Sequence, residues 1–191
     1  MQNSGHCDKA GAGGYNETTF VQTADALVAK GLAALGYVYL NLDVSAHAIR
    51  TGVPGKLTYC FQDCWIAENR TADGKLTYDL SRFPSGMTWL AKQAHTRKLK
   101  LGLYAAASVE TCRQFPGSQG YEEVDAQSFA DWGADFAKLD SCGGTLANGT
   151  ESWYNQYGRW SDAMNKTGRQ MVSRKIPHSQ YEIPRFRPVL S

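Results

Sequence analysis

Short apolar segments alternate with amphipathic segments along this chain, and their order limits the possible folds more than any other feature. An alternation of apolar strands and helices predicts an α/β fold with a parallel sheet, because a parallel connection must cross the sheet. The strand-like segments lie at 37–43, 100–105 and 135–140, and we expect a fourth near 170–173. Helical periodicity occurs at 18–30, 87–94, 122–132 and 152–165, and Ser85 is positioned to cap the second helix.

The predicted strands place Asp43, Tyr104 and Asp140 at their C-terminal ends. Parallel strands bring these ends to one edge, where active sites form in a barrel and where ligands bind in an open, doubly wound sheet. Both architectures are compatible with the order of elements. No strand is followed by G-x-G-x-x-G or G-x-x-x-x-G-K-[ST], so a nucleotide-binding α/β protein is the weaker alternative.

Charge and hydropathy give no support for a nucleic-acid or membrane partner. The net charge of +2 gives no reason to expect a nucleic acid, and no apolar run approaches the ~20 residues that span a membrane. Four N-glycosylation sequons favour a secreted, extracellular protein, although the chain does not begin with an apolar leader. The sequons begin at Asn16, Asn69, Asn148 and Asn165.

The cysteines give no indication of a metal site. Five are present, none are spaced as C-x-x-C, and the four histidines are scattered, so no metal ligands are predicted. They can be buried thiols or disulfides, and the sequons favour disulfides, which leaves one cysteine unpaired. The five are Cys7, Cys60, Cys64, Cys112 and Cys142.

A series of short motifs runs along the chain: 40–43 (LNLD), 63–65 (DCW), 82–87 (RFPSGM), 100–104 (KLGLY), 111–112 (TC), 115–118 (FPGS), 125–133 (DAQSFADWG) and 138–142 (KLDSC). In order and spacing this series resembles the α-galactosidase (melibiase) family of retaining glycoside hydrolases. The resemblance implies about the first half of a (β/α)₈ barrel over residues 1–173. It also implies hydrolysis of terminal α-D-galactose from oligosaccharides or galactosylated polysaccharides, with no cofactor. An α-N-acetylgalactosaminidase on the same scaffold is the nearest enzymatic alternative.

The resemblance assigns the nucleophile of a double displacement to Asp140, in the family's K-x-D-x-C motif. Lys138 precedes it by two residues on the same strand face, where its charge would keep Asp140 ionised and bind a sugar hydroxyl. Without the motif, an aspartate at a strand end is more readily interpreted as a helix cap.

The same resemblance implies a pocket for the sugar. Asp43 and Asp63 correspond to the paired carboxylates of the family's D-D-C-W motif, which accept hydrogen bonds from galactose hydroxyls. Tyr104 and Cys112 are implied to line the pocket beside them. The predicted site is therefore built from strand ends that lie far apart in the sequence.

The family pattern also implies two disulfides. Cys112 matches a bond to Cys142 at the rim of the site, and Cys7 matches a bond to Cys64. Cys60 is then the unpaired cysteine. A bond between Cys60 and Cys112 would contradict this alignment.

Nineteen residues, 44–62, separate two aspartates that the family has side by side. Codons for 44–45 can form a splice donor, those for 57–58 a branch point and those for 59–62 an acceptor, which suggests a retained intron. A genuine surface insertion is the alternative. We expect 44–62 to leave the barrel as a poorly ordered excursion, because it contains Gly and Pro and has no sustained amphipathic period.

The end of the chain departs from the family as well. Residues 174–191 have no clear helical or strand period and no family resemblance. The family's acid/base aspartate is expected beyond residue 191, so little turnover is expected from this chain as given. An inactive sugar-binding fragment is accordingly the non-catalytic alternative.

Overall fold

A computed structural model describes residues 16–42, 45–50, 57–62, 65–111, 114–141 and 153–176, with backbone alone at 45–50, 57–62 and 174–176. The helices are α1 (Glu17–Ala29), α2 (Gly86–Thr96), α3 (Glu122–Trp132) and α4 (Trp153–Lys166). The strands are β1 (Tyr39–Leu42), β2 (Ser45–Arg50), β3 (Leu57–Gln62), β4 (Lys100–Ala106), β5 (Phe136–Asp140) and β6 (Val172–Ile176).

Four parallel strands form the main sheet, in the order β1-β4-β5-β6. The register places Leu42 opposite Leu103 and Asp140 opposite Ala106, so the carboxyl ends of the strands share one edge. Every residue of β4 after Lys100 is buried. A strand buried on both faces is typical of a parallel sheet covered by helices, as the apolar pattern predicted.

The helices pack their apolar positions into one core with the sheet. α2 buries four residues at spacings of three and four, which matches the sequence pattern for one helix face. α3 and α4 pack beside it, where Phe129 lies 5.8 Å from Trp160 and 6.1 Å from Trp65, measured between ring centroids. Large aromatic side chains therefore supply much of the apolar area that stabilises these helices. The buried apolar residues of α2 are Met87, Leu90, Ala91 and Ala94.

The helix ends follow the predicted boundaries, with one difference in capping. Ser85 does occupy the N-cap position of α2, but its side chain makes no capping hydrogen bond. Its backbone N–H donates to Glu17 at 2.9 Å instead, which ties the start of α2 to α1. A tertiary contact thus replaces the local cap that the sequence predicted.

The described residues of the 44–62 segment, 45–50 and 57–62, form strands outside the main sheet. β2 and β3 form a separate antiparallel pair, in register from Ser45 opposite Gln62 to Arg50 opposite Leu57. These residues therefore leave the main sheet as expected, but they form paired strands, which the sequence did not predict. β3 has β-branched and aromatic residues that favour a strand, and it pairs with β2 without any contribution from the main sheet.

The fourth strand extends further than predicted. β6 runs to Ile176 and pairs with β5, so the first three residues of the 174–191 segment continue the sheet. Pairing with a neighbouring strand satisfies the backbone N–H and C=O groups for any side-chain pattern. Hydrophobic periodicity therefore did not predict the extension of β6. Residues 177–191 lie outside the described part of the chain.

A buried ion pair holds the loop before α2 against the start of α3. Both terminal nitrogens of Arg70 donate to the Asp125 carboxylate at 2.7 Å, and the Asp125 side chain is fully buried. The same guanidinium donates to the carbonyls of Gly74 and Gly117 and lies 3.9 Å from the ring centroid of Tyr121. One side chain therefore joins the loop before α2, the loop before α3 and the first turn of α3.

Gly117 is expected to tolerate no side chain. A Cβ built at this position would lie 2.0 Å from the carbonyl oxygen of Ser108, which is backbone and cannot move aside. We expect Gly117→Ala to lower the free energy of unfolding by about 1–3 kcal/mol, measured by urea denaturation. Gly158 in α4 is the matched control, because a Cβ there meets no atom within 4 Å. Gly158→Ala should be neutral or stabilising, and an equal loss in both variants would contradict the steric argument.

Candidate active site

The C-terminal edge of the main sheet brings together three residues that the sequence selected. Tyr104 on β4 lies opposite Lys138 on β5 in the strand register. The Lys138 ammonium lies 5.5 Å from the centroid of the Tyr104 ring, within the range of a cation–π contact. Tyr104 is fully buried, whereas Lys138 is partly exposed. The pair thus places a buried aromatic ring beside a partly exposed positive charge near the carboxyl ends of these strands.

Asp140 is the last residue of β5 and is partly exposed. One of its carboxylate oxygens accepts a hydrogen bond from the backbone N–H of Ser141 at 2.8 Å, and its carbonyl oxygen accepts one from Ala107 at 2.7 Å. The side-chain period of two places Asp140 on the same face of β5 as Lys138. A carboxylate with a fixed backbone and an accessible side chain is suited to attack an electrophilic carbon.

Tyr157 on α4 also contributes to this site, although it belongs to none of the motifs that predicted site residues. Its side chain is 5% exposed, and its phenol forms a hydrogen bond with the side chain of Ser141, next to Asp140. Its ring lies 6.1 Å from that of Trp153. Tyr157 is one of the buried residues of α4, and its place in the helix indicates only that it faces the core. The packing of α4 against the sheet brings its phenol to the end of β5.

The ionisation of Tyr157 predicts a loss of stability at high pH. Burial raises the pKa of Tyr157 from 10 to about 12; the Ser141 hydrogen bond opposes the rise and the negative charge of Asp140 adds to it. Between these two values the unfolded chain has lost the proton while the folded chain retains it, so stability falls as pH rises. The contribution is on the order of 2 kcal/mol.

Urea unfolding between pH 9 and pH 12 checks this expectation. The wild-type chain should lose more of its unfolding free energy over this interval than Tyr157→Phe, which has no phenol to ionise. The exposed Tyr154 on the same helix supplies the control, and Tyr154→Phe should retain the wild-type slope. Identical slopes in Tyr157→Phe and wild type would contradict the assignment.

The remaining predicted site residues lie outside the described part of the chain. They include the second and third carboxylates of the site and all four cysteines of the predicted disulfides. The backbone of Cys60 is described, in β3. Within the described ranges, no group of three or more His, Cys, Asp or Glu could hold a metal ion, and no helix is long and apolar enough to cross a membrane. The undescribed residues are Asp43, Asp63, Cys7, Cys64, Cys112 and Cys142.

Comparison with known proteins gives consistent results. The family profile Melibiase_2, described as Alpha galactosidase A, matches residues 51–186. The chain is 38% identical to Alpha-galactosidase A of Homo sapiens over 157 residues, which are 82% of this chain and 32% of that protein. It is 41% identical to Alpha-galactosidase of Coffea arabica over 157 residues, covering 82% and 35%. The structure of the Saccharomyces cerevisiae α-galactosidase with raffinose superposes with a TM-score of 0.70 at 33% identity, covering 85% and 32%.

These matches confirm the predicted fold class, a partial (β/α)₈ barrel. The chain spans about a third of the length of the curated relatives it matches. The matched range contains 51–62 and 174–186, which the motif comparison alone placed outside the family. The profile match, the relatives and the superposition agree with the motifs on β4 and β5. The chain belongs to the melibiase family, the family of α-galactosidase A.

Proposed function

We propose that this chain forms the nucleophile-bearing part of an enzyme that hydrolyses terminal α-D-galactosides with retention of anomeric configuration. The observation that carries the proposal is the arrangement of Lys138 and Asp140 on one face of β5, with Tyr104 opposite on β4. These residues lie within the range that matches the family. Relatives that share this range are named α-galactosidases.

In the proposed reaction, Asp140 attacks the anomeric carbon of galactose and the bond to the leaving oxygen breaks. A second carboxyl group protonates that oxygen and then removes a proton from the water that releases the sugar. Lys138 would bind a sugar hydroxyl and hold positive charge beside the carboxylate. Tyr104 would form the wall of the pocket. The acid/base group is proposed to come from sequence that follows this part of the fold.

We also propose that Asp43 and Asp63 accept hydrogen bonds from galactose hydroxyls at this edge. Asp43 directly follows β1, whose neighbour in the sheet is β4. We propose disulfides between Cys112 and Cys142 and between Cys7 and Cys64. Peptide mapping under non-reducing conditions tests both disulfides. It should show these two linked pairs, and any other pairing would contradict the proposal.

A chimaera provides the direct test of activity. Residues 16–176 replace the matching third of the yeast α-galactosidase, and the product is assayed with an aryl α-galactoside alongside the chain as given. We expect turnover from the chimaera, with the α-anomer of galactose appearing first in proton NMR spectra. An aryl α-N-acetylgalactosaminide in the same assay tests the alternative substrate. First release of the β-anomer, or preference for the acetamido sugar, would contradict the proposed function.

We propose a secretory location on the basis of the sequons and the cysteines. The membership of the chain in a family of glycosidases agrees with this location, because their substrates are saccharides of the kind found outside the cytosol. A fusion to a secretion leader tests the compatibility of the chain with that pathway. Disulfide-linked protein in the medium supports the proposal, and retention as reduced aggregate opposes it.

A further inference from the structure

We propose that Tyr157 is a positioning residue for the nucleophile: acting through Ser141, its phenol holds the Asp140 carboxylate in the orientation that attacks the anomeric carbon. This inference rests on the proposed glycosidase function and adds a residue to it. Tyr157 lies outside every motif that selected site residues, so the inference comes from the fold. The contacts run from the interior of α4, through Ser141, to the end of β5.

The Asp140 carboxylate is oriented by a backbone group. The Ser141 N–H donates to one of its oxygens at 2.8 Å, and the Asp140 carbonyl accepts from the Ala107 N–H at 2.7 Å. The second bond holds the main chain of Asp140, and the first sets the direction of its side chain. That direction matters for the proposed reaction, because a nucleophile attacks efficiently only when it is held close to the carbon and in line with it.

Ser141 lies where the sheet no longer holds the chain. The register of β4 with β5 ends at Asp140, so Ser141 follows the paired part of the strand. Ser141 is buried, and its side chain forms a hydrogen bond with the Tyr157 phenol. Because the hydroxyl group and the N–H extend from the same Cα, a bond that fixes the first limits the motion of the second. Tyr157 therefore supplies the restraint that the strand pairing supplies to the residues before Ser141.

The phenol is carried by a firmly anchored part of α4. The residue before Tyr157, Gln156, is fully buried, and its amide donates to the Glu122 carboxylate on α3 at 2.7 Å. One turn further along, the ring of Trp160 lies 5.8 Å from that of Phe129, measured between centroids. A site residue on a packed helix is placed more precisely than one on a loop. Contacts with α3 thus fix the helix on both sides of Tyr157.

Tyr157 is unsuited to transfer protons itself. Burial raises the pKa of its phenol to about 12, so the phenol keeps its proton far above neutral pH. An efficient general acid or base has a pKa near the operating pH. The phenol therefore acts on the proposed reaction by fixing Ser141, and the acid/base role stays with the second carboxyl group.

Tyr157→Phe removes the hydroxyl group and keeps the ring that packs in the core. In the chimaera with the yeast enzyme, we expect kcat for an aryl α-galactoside to fall roughly 10- to 100-fold, because a small displacement of a reacting group is enough for such a loss. KM should stay within about twofold of the wild-type value, since the groups proposed to bind galactose are unchanged. Tyr154→Phe is the matched control, because Tyr154 lies on the same helix and is 76% exposed. It should keep the wild-type kcat.

Ser141→Ala breaks the same contact from the other side and leaves α4 intact. Its kcat should fall by a factor similar to that of Tyr157→Phe, and it carries the test if Tyr157→Phe does not fold. The double variant should lose no more activity than either single variant, because all three lack one and the same hydrogen bond. A wild-type kcat in Tyr157→Phe, or losses that multiply in the double variant, would overturn the proposal.

An NMR measurement on the ¹⁵N-labelled 191-residue chain tests the positioning role without turnover. The Ser141 amide proton, which donates to the Asp140 carboxylate, should move upfield in Tyr157→Phe and exchange with solvent at least about tenfold faster. Tyr154→Phe should leave this signal unchanged. An unchanged Ser141 signal in Tyr157→Phe would overturn the proposal. An inactive wild-type chimaera would instead contradict the proposed function, and the amide signal would still decide whether Tyr157 holds the carboxylate.

Discussion

Asp125→Asn is expected to lower the free energy of unfolding by about 3–5 kcal/mol, the loss that typically follows removal of one partner from a buried ion pair. The Asp125 side chain is fully buried, and that of Arg70 is 12% exposed. The amide would leave the guanidinium without its bidentate acceptor and would place an N–H₂ donor against another donor. Urea denaturation, followed by circular dichroism, measures the change.

An exposed ion pair on the same helix provides the control for this prediction. Glu123 pairs with Lys166 across α3 and α4, with both side chains at least 66% exposed. Glu123→Gln should leave the unfolding free energy close to that of the wild type, because water screens an exposed pair. Similar losses in Asp125→Asn and Glu123→Gln would show that burial and bidentate geometry do not determine the contribution of the pair.

Asp140→Asn is expected to reduce the activity of the chimaera by roughly 10⁴- to 10⁶-fold, because an amide cannot form the covalent glycosyl intermediate. Measurement of kcat and KM for an aryl α-galactoside tests this expectation. The loss should appear in kcat, since Tyr104 and Lys138 remain to bind the sugar. A rise in KM with unchanged kcat would assign Asp140 to binding instead.

The matched control for Asp140→Asn is Asp162→Asn, which removes an exposed carboxylate from α4. This variant should keep nearly wild-type kcat and stability. The unfolding free energy of Asp140→Asn should also remain close to that of the wild type, because the hydrogen bond from the Ser141 N–H can still be accepted by the amide oxygen. Loss of folding in Asp140→Asn would require a structural role for this side chain.

The fold was largely predictable because its main signals are periodic and local. The apolar strands at 100–105 and 135–140 correspond to β4 and β5, and α3 has the predicted bounds of 122–132. The C-cap of α3 is Gly133 with φ of +84°, a stop that glycine adopts readily. The pairing between β2 and β3 could not be predicted from the periodicity of either segment. Whether a segment becomes a strand here depends on a second segment that can pair with it.

The candidate site was predictable only in part. Strand period and the family motif together select Lys138 and Asp140, and the parallel order of strands places Tyr104 beside them. The contact of Tyr157 with the end of β5 arises from the packing of α4 against the sheet, which residue spacing along the chain does not predict. The Arg70–Asp125 pair joins residues 55 positions apart. Nothing in the sequence near either residue indicates that the two charges meet.

The assignment of Asp140 as nucleophile is tested most directly by trapping the covalent intermediate. The chimaera is treated with an activated fluorosugar of galactose, which reacts as a substrate but is released slowly, and the digested protein is mapped by mass spectrometry. We predict one fluorogalactosyl label, carried by the peptide that contains Asp140 and absent from Asp140→Asn. A label on another carboxylate, or an active chimaera that is never labelled, would contradict the account.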